Sequence, residues 1–178
     1  LFDATVNAPK TLSLAAMLDP EIAAAFDALQ GRIRDRTIEM WRTELNSRRG
    51  AGGRTRMDLA QIEVVELKHA RSRSLDPHAH SHLWLNARVL GQDGRWSNLE
   101  SRTMLRFQTL VNAEGQLAAL TDAEWVATLA AKGFTINSAT GEIEQLAHLV
   151  RPFSKRSAQI ESAKARFLAE WHEAHPGN

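Results

Sequence analysis

Apolar residues recur along the chain with two different spacings, one of three to four positions and one of two positions. Helical spacing predicts one long amphipathic helix over residues 20–46, begun by Asp19 and Pro20. Its expected core positions are Ile22, Phe26, Leu29, Ile33, Trp41 and Leu45. Further helices are predicted after Asn7, over 101–114, over 121–132 with Thr121 as the cap, and over 145–173. In the last helix we expect these apolar residues in the core: Leu149, Phe153, Ile160, Phe167, Leu168 and Trp171.

Strands are predicted between these helices. Residues 1–6 form a short one, residues 62–67 are β-rich, and residues 79–90 form a longer one. A turn at 92–94 leads into a strand over 95–99, and 134–136 with 142–144 look like a small hairpin. Strands mixed with long helices indicate an α+β protein with an antiparallel sheet that helices cover on one face.

The strand over 79–90 has two different faces. Its odd positions are apolar, namely Leu83, Leu85, Ala87 and Val89. Its even positions and the residue before it are mostly polar, namely His78, His80, His82, Trp84, Asn86 and Arg88. Because alternate side chains of a strand point to opposite faces, the first set predicts core and the second predicts a site.

Three histidines form the most informative part of that site. His80 and His82 share the strand face, and His69 ends the preceding β-rich run. With no cysteine in the chain, three imidazoles suit a divalent metal that keeps open positions for water or substrate. The alternative is a histidine-rich strand with a solvated polar face.

Positive charge is clustered although the net charge of the 178 residues is only +1. Five arginines lie within fifteen residues around the glycine-rich turn 50–53: Arg42, Arg48, Arg49, Arg54 and Arg56. Arg71 and Arg73 follow the first histidine. Guanidinium groups pair with phosphate oxygens, so their proximity to the histidines favours contact with DNA phosphates. A solvated, mobile loop is the alternative.

Several separate segments resemble one known family. They are His69-Ala-Arg-Ser-Arg73, Asp76-Pro77, His80-Ser-His82, Asn86-Ala-Arg-Val89 and Asp93-Gly-Arg-Trp96, with Phe2 to Ser13 and Arg48 to Gly53 upstream and Pro152 to Arg156 and Gln159-Ile-Glu161 downstream. In this order they resemble the conjugative relaxases of the TrwC/TraI type, a branch of the HUH endonucleases. The resemblance covers essentially the whole chain.

The resemblance implies a single-stranded DNA nicking and strand-transfer domain that acts at a plasmid transfer origin. It implies a sheet of about five strands when complete, and a divalent ion (Mg, Mn or Zn) on His69, His80 and His82. Asp3 matches the family's active-site aspartate, which orients or deprotonates the nucleophile. Lys10, Arg71 and Arg73 are expected phosphate partners, with Arg48, Arg49 and Arg54 in the basic loop. His78 stands where the family usually has glutamine, and we expect it to be exposed or to face DNA.

The family's nucleophile is a tyrosine, and this sequence contains none. We expect residues 1–178 to be a relaxase domain that lacks an N-terminal strand-helix segment bearing the tyrosine, and also the C-terminal helicase. Two alternatives are a catalytically silent module that binds metal and single-stranded DNA, and a nuclease that uses water.

With 43 % hydrophobic residues, the composition fits one domain. We expect a cytoplasmic location, relaxosome accessory proteins as partners and no membrane insertion.

Overall fold

The computed structural model describes residues 1–175. The domain expected from the sequence runs to residue 178, so its last residues, 176–178, lie outside the described part. Within residues 1–175, no helix is long and apolar enough to span a bilayer.

Antiparallel pairing arranges the strands of residues 1–175 in two sheets. The strands are β1 (Phe2–Asn7), β2 (Asn46–Arg49), β3 (Thr55–Gln61), β4 (Val64–Arg71), β5 (Pro77–Leu85), β6 (Arg88–Gly91) and β7 (Trp96–Asn98). One sheet has the order β1-β5-β4 and the other β2-β3-β6-β7. The α+β class and the antiparallel pairing are confirmed. The described residues form sheets of three and four strands, and the sheet of about five strands expected for the complete domain stays a prediction.

The strand predicted over 79–90 is in fact two strands that belong to different sheets. Between β5 and β6, the N–H of Asn86 donates to the carbonyl of Glu63, and the side chain of Asn86 accepts from the N–H of Arg88. These bonds hold a bend that turns the chain from one sheet into the other. The alternation of apolar residues continues across the bend, which is why the sequence alone predicts one strand.

The arginine- and glycine-rich segment is a hairpin rather than only a loop. Strands β2 and β3 pair antiparallel on either side of a 3-10 turn, Ala51–Gly53. Gly50, Gly52 and Gly53 have positive φ angles, a conformation that glycine adopts without strain. Both strands are mostly polar, so no hydrophobic alternation revealed them in the sequence.

In the described part of the chain, five α-helices accompany the sheets: α1 (Lys10–Leu18), α2 (Pro20–Glu44), α3 (Ser101–Thr121), α4 (Ala123–Ala131) and α5 (Lys155–Ala174). The long helix α2 is confirmed, and Asp19 caps it by accepting from the N–H of Glu21 at 2.7 Å. Helix α3 is longer than predicted and includes Thr121. Asp122, not Thr121, caps α4 by accepting from the N–H of Trp125.

The main core lies between the three-stranded sheet and helices α1 and α2. All six core positions predicted in and just after α2 are buried. They pack with Ala4, Val6, Leu83 and Leu85 from the sheet in one cluster. Burial of these apolar side chains fixes which face of the sheet points inward, so the opposite face is left open.

The C-terminal segment differs from its prediction. Residues Glu144–Leu149 form a 3-10 helix, and the α-helix begins only at Lys155. No residue of α5 is buried, so the core prediction for Ile160, Phe167, Leu168 and Trp171 is wrong, as it is for Phe153. The helix is held mainly through its first turns, where Asp76 accepts from the N–H of Arg156. The predicted hairpin at 134–144 is a single bridge between Ile136 and Ile143.

Candidate metal and nucleic-acid site

The open face of the three-stranded sheet is organised in three rows of cross-strand neighbours. Strand register places His80 opposite His69 and Asn7, His82 opposite Leu67 and Thr5, and Trp84 opposite Val65 and Asp3. Directly opposed residues of antiparallel strands share a face. The predicted pattern of β5 is therefore confirmed up to Leu85, since Ser81, Leu83 and Leu85 are buried on the other side.

His69, His80 and His82 form a nearly equilateral triangle of rings. Ring centroids are 5.1 Å apart for His69 and His80, 5.3 Å for His69 and His82, and 5.2 Å for His80 and His82. A metal–nitrogen bond of about 2 Å puts an imidazole centroid about 3 Å from the ion, so three convergent rings have centroids about 5 Å apart. The donor type and the ring spacing both fit a shared divalent ion.

The ring nitrogens are not yet turned to a common point. Within residues 1–175, no three histidine, aspartate or glutamate side chains already have an arrangement that can hold a metal. His69 and His80 stack with their planes 17° apart, whereas three ligands of one ion point their nitrogens inward. Binding an ion therefore requires the imidazoles to rotate about their side-chain bonds.

Hydrogen bonds orient two of the three rings. Nδ1 of His82 donates to the carboxylate of Asp3, at 2.9 Å from Oδ1 and 3.0 Å from Oδ2. Nδ1 of His80 donates to the backbone carbonyl of His78 at 2.8 Å. A carboxylate and a carbonyl only accept, so in both neutral rings the proton is on Nδ1 and Nε2 is left with its lone pair. Metal-binding histidines are commonly held by such partners.

His78 is not fully exposed, and the expectation that it faces DNA stays a prediction. Its ring is half-buried and stacks on His80 with centroids 4.6 Å apart. Its Nδ1 is buried and has no hydrogen-bond partner among the described residues. Burial is the main cause of the lowered pKa of His78, and it is also the main cause of the lowered pKa of His80. Both rings therefore favour the neutral form, which is the form that binds metals.

Cationic side chains surround the histidines. A cavity of about 380 Å³ is lined by His69, His78, His80 and His82 together with Arg71, Ser72, Arg73 and Arg156. The structure thus brings Arg71 and Arg73 to the histidines, as the sequence predicted. Arg156 was not assigned to the site in the sequence analysis, because the spacing of the terminal helix says nothing about where its first turn docks.

Lys10 lies at the edge of this cavity. Its Nζ donates to the carbonyl of Pro77 at 2.7 Å, and burial lowers its pKa. An adjoining cavity of about 280 Å³ is lined by Lys10, Asp76, His78, Arg156 and four other residues. His78 and Arg156 line both cavities, so Lys10 is part of the same surface region.

The arginines of the hairpin are engaged within the chain. Arg48 pairs with the buried carboxylate of Glu100, next to the start of α3. Arg49 makes a bidentate pair with Asp93 at 2.8 and 3.0 Å and also donates to Ser47 and Ser97. These contacts stabilise the hairpin against the neighbouring strands. Arg54 is exposed in the hairpin.

The middle strand of the three-stranded antiparallel sheet thus carries a His-x-His pair on its open face, beside a third histidine and several cationic side chains. The chain belongs to the TrwC relaxase family, whose model matches residues 1–178. The family resemblance seen in the sequence is thereby confirmed. No curated protein matches the chain.

Solved structures of similar fold come from the same family. The conjugative relaxase TrwC in complex with OriT DNA, in its metal-bound form, has a TM-score of 0.69 and 24% identity, over 99% of this chain and 57% of that chain. TrwC complexed with a 27-mer DNA comprising the recognition hairpin and the cleavage site has a TM-score of 0.70 and 25% identity, over 99% and 60%. A copper-bound form of TrwC with OriT DNA has a TM-score of 0.69 and 25% identity, over 99% and 57%. The chain spans less than two thirds of the length of each.

Proposed function

We propose that this chain is a metal-dependent relaxase domain that nicks one DNA strand at a plasmid transfer origin and transfers that strand during conjugation. The observation that carries the proposal is the triangle of His69, His80 and His82 on an open sheet face, bordered by Asp3 and by arginines. Family membership and the OriT DNA complexes of TrwC support it.

The three histidines are the proposed ligands of a divalent ion. These residues would hold the ion, which would supply Lewis-acid polarisation of a non-bridging oxygen of the scissile phosphate. Three nitrogen donors suit zinc or copper better than magnesium or manganese, which favour oxygen ligands. The copper-bound TrwC structure agrees with a nitrogen-rich site.

Asp3 has two proposed roles. Its hydrogen bond to Nδ1 of His82 keeps Nε2 of that ring free of a proton and pointed away from β1. The carboxylate is also 47% exposed, so it can accept a hydrogen bond from a nucleophile that approaches the open face. Both roles require the ionised carboxylate.

Arginine and lysine side chains are the proposed partners of the DNA backbone. Arg71, Arg73 and Arg156 line the histidine cavity, and Lys10 lies beside it. Phosphate contacts position the strand without reading its sequence. Arg54 of the exposed hairpin is proposed to extend this contact. The ion pairs of Arg48 and Arg49 leave these two arginines less available, and their contact with DNA stays a prediction.

The nucleophile of the proposed reaction is not among the residues of this chain named above. Because these 178 residues contain no tyrosine, tyrosine-dependent cleavage requires a tyrosine from outside them. The same absence favours, as a second candidate, a module that binds metal and single-stranded DNA without cutting.

We propose the cytoplasm, where plasmid DNA is processed, as the location, with relaxosome accessory proteins as partners.

One assay distinguishes the relaxase, the water-using nuclease and the binding module. It uses the protein expressed from the whole reading frame that encodes this chain. A labelled single strand carrying the transfer origin is incubated with manganese, and the products are separated under denaturing conditions. A covalent protein–DNA adduct that disappears in His82→Ala supports the relaxase. Free fragments without an adduct indicate water as nucleophile, and intact bound DNA indicates the binding module.

A further inference from the structure

Trp84 is the large aromatic residue in the row of the open face next to the histidines. It follows His82 by two positions on β5, and its cross-strand neighbours on this face are Asp3 and Val65. Its side chain is 37% exposed, and Val65 beside it is 56% exposed. No aromatic ring and no cation of residues 1–175 stacks on this indole. It therefore leaves an apolar surface open beside a charged site.

We propose that Trp84 is a stacking platform for a nucleobase of the strand held at the histidines. This inference rests on the proposed function and deepens it by naming the group that binds a base rather than a phosphate. Two residues along a strand span about 7 Å. The indole of Trp84 is therefore separated from the His82 ring by a distance that one nucleotide can span. Every base offers a π-face, and aromatic side chains on open sheets bind single strands through it.

The surroundings of Trp84 favour a base over a second phosphate. Asp3 on one side carries a negative charge, which repels phosphate, and Val65 on the other side is apolar. The cations lie at the opposite end of the histidine cluster, where Arg71, Arg73 and Arg156 line the cavity. A strand that places its phosphates near these arginines and histidines therefore brings an adjoining base over the indole.

The test compares two single strands of about ten nucleotides, within the range that single-strand binding folds cover. One is oligothymidine and the other has the same backbone with every base removed. Affinities are measured by fluorescence anisotropy for the wild-type chain, Trp84→Ala and Trp84→Phe. Trp96→Ala is the matched control, because Trp96 is similarly exposed, at 42%, but lies on β7 in the other sheet.

We expect Trp84→Ala to weaken binding of oligothymidine by roughly 5- to 100-fold, the range of one base–aromatic stack. Binding of the abasic strand stays unchanged, because the phosphate contacts remain. Trp84→Phe keeps most of the preference for bases, and Trp96→Ala keeps all of it.

Two results would overturn the inference. If the wild-type chain binds both strands and Trp84→Ala changes neither affinity, or both equally, Trp84 does not stack on a base. If the wild-type chain binds neither strand, the proposed function fails and the inference fails with it. Circular dichroism and manganese titration of each variant identify any loss that comes from misfolding.

Discussion

Nδ1 of His82 donates to the carboxylate of Asp3 at 2.9 Å, which joins the first strand of the sheet to the histidine cluster on the middle strand. The two residues are 79 positions apart in sequence, and β1–β5 pairing brings them together. Asp3, which the resemblance identifies as the active-site aspartate, is therefore also the partner that orients a proposed metal ligand. Under the proposed function, the metal and the nucleophile would depend on the same carboxylate.

Asp3→Ala should weaken divalent metal binding by about 10- to 100-fold, the usual cost of losing a carboxylate that supports a metal-binding histidine. Isothermal calorimetry with manganese or zinc measures this change. Asp35→Ala is the control, because Asp35 is an exposed acid on α2 that pairs with Arg34. Equal metal affinities for the Asp3 variant and the wild type would mean that Asp3 does not support the metal ligand and acts only on the nucleophile.

Removing one imidazole should have a larger effect. His80→Ala and His82→Ala each take away one of three proposed ligands, and we expect affinity to fall by more than about 100-fold, beyond the cost of losing a supporting partner. His148→Ala serves as control, since His148 is exposed in the 3-10 helix at Glu144–Leu149. Tight binding that survives in either ligand variant would put the metal elsewhere.

Acid should destabilise the metal-free chain. The folded-state pKa values of His78 and His80 lie below the ordinary value of 6.5, chiefly because burial disfavours the charged rings. Between those values and 6.5 the unfolded chain binds more protons than the folded one, so stability is lost as pH falls through 6.5 towards the folded-state values. Urea unfolding in a chelating buffer at several pH values measures this loss.

His78→Gln should flatten that pH dependence, because one of the two rings is removed. The exposed His148→Gln should leave it as in the wild type. A slope that His78→Gln does not reduce would mean that His78 is not buried in solution.

Removing either of two arginines near the histidines should make DNA binding less sensitive to salt. Loss of a phosphate contact lowers the slope of log affinity against log salt by about 0.7 on single strands. We expect this reduction for Arg71→Ala and for Arg73→Ala in anisotropy measurements across a salt series. Arg42→Ala, which removes an exposed arginine on α2, should leave the slope unchanged.

Arg49→Ala should instead lower stability, because it leaves Asp93 and Ser97 without their guanidinium partner. The salt slope of the same variant tests the predicted contact of Arg49 with DNA. A reduced slope would support that contact, and a slope equal to that of the wild type would exclude it.

The sequence predicted the helices and strands in which burial of one face requires a regular spacing of apolar residues. The apolar spacing of α2 and the alternation at Leu83 and Leu85 follow directly from which face packs inward. The same alternation indicated that His80 and His82 share a face. The match to known motifs added Asp3, which no local pattern distinguishes from an ordinary acid.

Other features depend on contacts between distant segments. The polar hairpin β2–β3 has no hydrophobic period, and Arg156 reaches the histidines only because the start of α5 docks on Asp76. The apolar stripe of α5 predicted burial, yet the helix lies against too few described residues to cover it. Periodicity shows that a face is apolar, and it cannot show which surface meets that face.

The central claim is that an ion on His69, His80 and His82 contacts a DNA phosphate, and electron paramagnetic resonance of the copper-loaded chain tests it most directly. The account predicts hyperfine coupling to three imidazole nitrogens, and an additional phosphorus coupling when a single strand is added. Replacing His80 by alanine should remove one nitrogen coupling. Copper coupled to fewer than three nitrogens in the wild type, or no phosphorus coupling at saturating DNA, would contradict the account.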